Sequence, residues 1–302
     1  MWLLLAFMSA ALLGCYDAFK KASLKDNAVI PVLFLNTVFS SLIFLPFILL
    51  SYNTNIDLGD FQVASGGWQE HKYILLKSVI VLSSWVFGYI GIKHLPLTIV
   101  GPINATRPVM VLIGAMVVFN EHLNSWQWLG VILAVTSFFM LSRSGKKEGI
   151  DFKHNIWIYF VVLSALLGAI SGLYDKYLMA SPSDGGIGLD RMMVQSWYNI
   201  YQSGMMGVAL LIALWFERDK MNFHWRWSIL FISIFLSAAD FMYFYSLSLP
   251  DAMISIVSMI RRGSVIVSFL FGAWLFHEKN LRGKIVDLLL VLLGMLCLYI
   301  GS

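Results

Sequence analysis

Charge is what this sequence has least of. Asp, Glu, Lys and Arg make up 13% of its 302 residues, about half the share usual in a soluble domain, while apolar residues reach 59%. A water-soluble globule of this length would need more charge than that to cover itself, so the excess apolar surface has to face lipid. Cysteine is nearly absent: Cys15 and Cys297 each sit inside a long apolar run, define no disulfide framework and say nothing about redox compartment. The six histidines are scattered, without the H-x-x-x-H spacing of a metal site. No G-x-x-x-x-G-K-[ST] loop is present to cradle a nucleotide. Neither metal nor cofactor is expected. The formal net charge of +4 is too mild to point to nucleic acid; in such a chain Lys and Arg are topology signals. A basic n-region and a small-residue cleavage site are missing around the first apolar run, so the first helix is expected to be retained.

What is present is a series of long apolar runs. A spanning helix needs about 20 predominantly apolar residues, and ten segments qualify: 2–22, 29–51, 73–94, 97–119, 125–142, 155–178, 193–216, 227–248, 251–276 and 283–301. The alternating segments of about ten residues that mark a membrane β-barrel do not occur, which leaves helices as the way to satisfy the backbone in lipid. The expected fold is an all-α membrane protein of ten transmembrane helices. Leu95-Pro96 and Leu249-Pro250 each close one helix and open the next. Asn124-Ser125 reads as the cap of the fifth helix, and the polar stretch from Gly145 to Asp151 as the linker between two halves, 1–145 and 153–302.

Those halves repeat. Gly14-Cys15-Tyr16-Asp17 recurs as Gly172-Leu173-Tyr174-Asp175, and Phe87, Tyr89, Leu95, Pro96 and Arg107 recur at one constant offset as Phe241, Tyr243, Leu249, Pro250 and Arg261. Asn120-Glu121-His122 is echoed, with a shift in register, by His277-Glu278-Lys279. Five helices per half is an odd number, so the second half enters the membrane the other way up. Two inverted five-helix repeats are a transporter architecture, with the binding site near the midplane between the halves. Lys20, Lys21, Lys25, Lys93, Arg143, Lys146, Lys147, Lys153, Arg218, Lys220, Arg226, Lys279, Arg282 and Lys284 fall on one side, against chiefly Lys72, Lys176 and Arg191 on the other. The rich side is read as cytoplasmic, with both termini outside.

Over nearly its whole length the chain resembles the drug/metabolite transporter superfamily, and within it the ten-helix EamA-type proteins. The resemblance is carried by Gly14 with Lys20-Lys21, Leu95-Pro96-Leu97 followed by Arg107-Pro108, and Glu121 closing the fourth helix. In the second half it is carried by Leu249-Pro250, Ser258-Met259-Ile260-Arg261-Arg262 and Phe276-His277-Glu278-Lys279. It implies two EamA-like repeats and a secondary transporter in a bacterial cytoplasmic (inner) membrane. It also implies export or exchange of small polar metabolites, amino acids among them, with nucleotide-sugar and phosphate-ester carriers as distant relatives. The chain departs from the pattern at Arg261-Arg262, where the first half has Arg107-Pro108; without that proline a broken ninth helix is not implied.

Charges within the spans single out the candidate site. An arginine at a helix centre costs about 2.5–3.5 kcal/mol on insertion scales if it faces lipid, so Arg107, Arg261 and Arg262 must face the interior. Arg107 and Arg261 either bind an anionic group of a solute, for which the guanidinium fork is suited, or pair with Asp17, Asp175 or Asp240 and hold helices in register. Arg262 is read as pairing elsewhere or snorkelling, since adjacent residues do not share a helix face. The three aspartates have two readings as well. Desolvation would raise a pKa and allow proton coupling, for which Asp240 is the first choice, whereas an ion pair would do the opposite. Asp17 stands three residues before Lys20, a spacing that permits a local pair, and Asp175 adjoins Lys176 near a helix end. Asn104 shares the face of Arg107, as Ser258 shares that of Arg261. Tyr89 and Tyr243, with Trp85 one turn before Tyr89, are aromatic candidates for a solute wall, the alternative being helix packing or an interfacial belt. Gln195, Asn199 and Gln202 form a polar stripe on the seventh helix, repeated more weakly by Asn36 and Ser40 on the second; lipid would not tolerate it. Glu121 and Glu278 read as interfacial, and Lys77 as snorkelling.

The leading expectation is a secondary transporter that exports or exchanges a small polar metabolite, an amino acid or other carboxylate, by alternating access, with proton coupling open. Its partners are that solute and the lipid bilayer, with a homodimer left open. A phosphate ester or nucleotide sugar is the alternative solute, requiring several uncompensated cations. A membrane-embedded lipid-phosphate enzyme is a different class, and would need a nucleophile or base beside the arginines. A cation exporter would need an intramembrane Glu, for which Asp240 could substitute.

Overall fold

Apolar stretches of twenty residues can satisfy their own backbone in lipid only as helices, and in the computed structural model they are helical. It describes residues 2–53, 56–107, 109–110, 124–146, 150–179, 182, 186–216, 218, 221–248, 257, 260–277 and 281–301. In chain order the helices are α1 Trp2–Leu24, α2 Val29–Asn53, α3 Trp68–His94, α4 Leu97–Ala105, α5 Ser125–Lys146, α6 Ile156–Met179, α7 Arg191–Phe216, α8 Trp227–Ser248, α9 Ser264–Trp274 and α10 Leu281–Gly301. A short 3₁₀ turn, Gly59–Phe61, lies between α2 and α3. Among the described residues seven helices, α1, α2, α3, α6, α7, α8 and α10, are long and apolar enough to cross a membrane. The expected fourth and ninth spans fall partly outside the described residues, as do Glu121, Ser258, Glu278 and Leu249-Pro250.

Helix boundaries follow local chemistry. Asn124 caps α5: its Oδ1 accepts from Gln127 N at 2.9 Å while Gln127 Oε1 accepts from Asn124 N at 3.0 Å, a reciprocal box. At the other end α5 runs on to Lys146, so the linker expected from Gly145 begins later. α3 starts at Trp68, five residues before the apolar run, because Glu70 reaches back to accept from Gly67 N at 2.8 Å. Pro96 is the N-cap of α4 in extended conformation, and the Leu95 N–H closes α3 on Gly91 O at 2.9 Å.

The packing has a two-fold pattern. α1 packs on α8 and α3 on α6, while α2 pairs with α7, α4 with α9 and α5 with α10. Exchanging the first five helices for the last five maps this set onto itself. Lipid-like side chains gain little from one another in a membrane, so small residues and buried hydroxyls bring the helices together. Ser9 Oγ donates to Ala239 O at 2.7 Å, Ser84 and Ser164 exchange bonds to each other's carbonyls at 2.8 and 2.7 Å, and Ser137 Oγ donates to Asp287 O at 2.7 Å. Gly14 and Gly101 are contact points: a side chain at Gly14 would run into Val267 and the Ser264 carbonyl, and one at Gly101 into Val265. α9 is thereby held close against both α1 and α4.

Helix ends meet in two layers. On one, Lys21 Nζ donates to Ile92 O and Leu95 O at 2.6 and 2.5 Å, Asn27 bonds His224, and His94 stacks on Trp157 at 3.8 Å. On the other, Arg191 pairs with Asp60 at 2.7 Å, and Phe61 lies between Phe47 and Phe241, with ring centroids 5.2 and 5.1 Å away. The described residues between α2 and α3 nevertheless remain largely exposed, Phe61 at 41%.

Candidate functional site

Two helix interruptions deliver the arginines. α4 ends at Ala105, where Thr106 turns both its N–H and its Oγ1 onto Ile103 O, at 3.2 and 2.7 Å. Arg107 follows directly. In the second half Ile260–Arg262 are helical, Gly263 makes a turn with its N–H on Ile260 O at 2.9 Å, and α9 resumes at Ser264. A Cβ at Gly263 would lie 2.8 Å from that carbonyl, so glycine supplies the break for which a proline was missing. The ninth span is interrupted after all.

Arg107, Arg261 and Arg262 open into one cavity of about 160 Å³ walled by both halves. Asp17, Trp85, Tyr89, Asn104, Asp175, Asp240 and Tyr243 also line it, so nine of the eleven candidate residues converge there. Two do not. Asn199 and Gln202 are fully buried, but their stripe is packed against α2 and α8 and leaves the cavity to their neighbour Tyr198. Ser41 Oγ reaches Asn199 O at 2.8 Å and Gln195 Nε2 reaches Ser237 O at 3.2 Å. Avoiding lipid required the stripe to face protein, and a neighbouring helix met that requirement without a cavity.

Each aspartate in the cavity has a cation of its own. Asp17 holds Lys20 at 2.8 Å, the spacing of three residues closing as a local pair. Asp175 pairs with Lys77 across the halves, and Asp240 pairs with Arg261 while accepting from Tyr198 OH at 2.8 Å. Lys77, expected to snorkel, is buried with 3% of its surface exposed, and Asp175, near the end of α6, turns to it. Aromatic faces support the same cations: Lys20 sits 4.2 Å from the Tyr16 ring and 5.1 Å from Tyr89, and Arg261 sits 4.2 Å from Tyr243. The repeat-related tyrosines thus do equivalent work.

The remaining two cations are different. Arg107 donates Nη2 to Asn104 Oδ1 at 3.0 Å, and its Nε is buried without a partner. Arg262 lines the cavity and feels the like charges of Arg107 and Arg261. Neither has a salt bridge among the described residues. The Arg107 guanidinium lies against the backbone of α6, where a Cβ at Gly168 would stand 2.6 Å from Nη1. Tyr198 was not singled out from the sequence, and Lys20, Lys77 and Arg262 were read as a local pair, a snorkelling lysine and an arginine pairing elsewhere or snorkelling, not as parts of one cavity. A buried lysine near a helix end reads like a snorkelling one, and the break at Gly263 is what lets adjacent arginines reach one cavity.

A multi-pass bundle whose charged cavity is walled by both halves is the build of a membrane transporter for small molecules. The family follows from the sequence: the model of the EamA-like transporter family matches residues 1–143 and again 155–300. The chain belongs to that family, whose members are transporters, and it is a multi-pass integral membrane protein. No curated protein matches it. A solved structure described only as the crystal structure of a protein superposes with a TM-score of 0.65 over 98% of this chain and 96% of that one. At 10% identity the likeness is one of fold alone.

Proposed function

We propose that this chain is a secondary transporter for a small organic anion carrying about two negative charges, working by alternating access between two inverted five-helix repeats in a bacterial cytoplasmic membrane. One observation carries the reading: five cations line the cavity against three aspartates, every aspartate is in a salt bridge with another cation, and Arg107 and Arg262 have none among the described residues. Guanidiniums held away from bulk water without a salt bridge are costly, and an anion that supplies the missing charges offsets that cost. An amino acid would bring an ammonium group needing a free carboxylate. All three carboxylates are occupied, which favours a dicarboxylate or a phosphate monoester over the amino acid expected from sequence. A cavity of about 150 Å³ holds a benzene-sized ligand, so the 160 Å³ here matches a solute of three to four carbons better than a nucleotide sugar. For a lipid-phosphate enzyme the cavity lining offers neither histidine nor cysteine among the described residues.

Inversion is supported by the helix ends. α1 and its mate α6 run in opposite directions: the end of α1 and the start of α6 both meet the end of α3, through Lys21 and through Trp157. A thermal-stability screen tests the solute class. A ligand at a hundred times its Kd stabilises the folded state by about 2.7 kcal/mol. C4 dicarboxylates or three-carbon phosphate monoesters should raise the melting temperature of the wild type and not of Arg262→Gln. Stabilisation by amino acids but not by dianions would overturn the two-charge reading. Stabilisation by lipophilic cations alone would overturn the anion reading and turn attention to Asp240.

A further inference from the structure

Glycine inside a helix is less stable there than alanine, so a glycine at mid-span needs a reason, and in a membrane the usual one is close helix packing. Several glycines of this bundle have that reason. A side-chain carbon at Gly91 would run into Val161, one at Gly88 into Ser164 Oγ, and one at Gly14 into Val267. Gly172 is different. It lies in the interior of α6 and lines the cavity, and an added Cβ there would meet nothing within 4 Å among the described residues. Its repeat mate is Gly14, in the matching strings Gly14-Cys15-Tyr16-Asp17 and Gly172-Leu173-Tyr174-Asp175. The position that packs a helix in the first half opens onto the cavity in the second.

The borders of that opening are chemically defined. Positions 168, 172 and 175 follow one another along one face of α6 at helical spacing. At Gly168 the Arg107 guanidinium lies on the helix, its Cζ 2.7 Å from where a Cβ would stand. At Asp175 the face ends in the ion pair with Lys77. From one to the other the helix rises about 10 Å, and Gly172 lies between them, one turn from the guanidinium. We propose that Gly172 sets how large a solute the cavity accepts: the carbon skeleton of an anion bound at Arg107 occupies the space over Gly172, which any side chain there would fill. The inference rests on the solute reading of the cavity. The whole space is about 160 Å³, so each carbon added at position 172 is taken from the solute's share. A single methylene at a pocket wall changes discrimination by roughly 10- to 200-fold. At Gly168 a Cβ would displace the arginine and weaken every anion alike. At Gly172 it would displace carbon and weaken long solutes more than short ones.

The test is a ratio across a homologous series, the straight-chain dicarboxylates of two to five carbons, measured as binding to the purified protein. Gly172→Ala should lower affinity for the four-carbon member relative to the two-carbon member at least tenfold, and Gly172→Leu should lower that ratio further. Gly172→Ala should also melt no lower than wild type, alanine being the better helix former and the space being open to receive it. A ratio unchanged in both variants, or a loss shared equally by all members of the series, overturns the proposal. So does a Gly172→Ala protein that melts lower, which would make this glycine one more packing contact. A thiol at the same position gives a readout that needs no knowledge of the solute. In a Cys15→Ala, Cys297→Ala background, Gly172→Cys should react with an anionic methanethiosulfonate in detergent solution, and a four-carbon dicarboxylate should slow the reaction. If the wild type binds no dicarboxylate, the two-charge reading is what has failed, and the thiol decides for position 172 alone. Labelled, the position opens into the cavity as proposed; unlabelled, the proposal falls.

Discussion

Lys20, Lys77 and Arg261 each hold a carboxylate, while Arg107 and Arg262 hold none among the described residues; substitutions in the two groups should therefore move stability in opposite directions. Breaking a buried pair leaves an uncompensated charge, so Asp240→Asn should destabilise the protein by about 3–5 kcal/mol through Arg261, read as a fall in melting temperature. Arg262→Met removes a charge that has no salt bridge among the described residues and stands against the like charges of Arg107 and Arg261. That variant should melt higher than wild type and transport nothing. A residue retained at a cost to stability is one kept for its ligand. An Arg262→Met protein that melts lower would mean that the guanidinium is part of the scaffold.

At the scale of the helices, glycines separate packing from function. At Gly14 an added Cβ meets Val267 and the backbone oxygen of Ser264, which cannot retreat, so Gly14→Ala should cost about 1–3 kcal/mol as an overpacked crossing. At Gly168 the Cβ meets only the far end of Arg107, which can swing away. Gly168→Ala should leave the melting temperature within about 2 °C of wild type while weakening solute binding at least tenfold. A Gly168→Ala protein that binds normally would remove Arg107 from the site. These contrasts also show what could be read from the sequence and what could not. Long apolar runs fix helices, the one-offset matches fix the repeat, and the cost of charge in lipid points Arg107, Arg261 and the aspartates inward. None of these says which inward face is a cavity. The Asn199 and Gln202 stripe was buried against α2 and α8, and Lys77 was buried where depth along the helix could not be judged. Pairing between cations and aspartates is a matter of tertiary geometry, so the two spare arginines had no signature in the sequence.

For the molecule as a whole, the proposal is that two inverted halves rock about a site whose charge balance is completed by its solute. With the solute bound, the five cations of the cavity would face three aspartates and two further negative charges; without it, two arginines repel each other at the meeting of the interrupted helices. Flux should therefore depend on the charge of the solute more than on its carbon skeleton. The direct measurement is counterflow in proteoliposomes, loading the lumen with unlabelled solute and following uptake of its labelled form. The set should comprise a C4 dicarboxylate, its half-amide, a three-carbon phosphate monoester and an amino acid of equal size. The account predicts that the two dianions exchange, that the half-amide is at least tenfold slower, and that Arg107→Gln and Arg262→Gln abolish the difference. Equal rates for dicarboxylate and half-amide, or exchange of the amino acid that persists in Arg262→Gln, would contradict it.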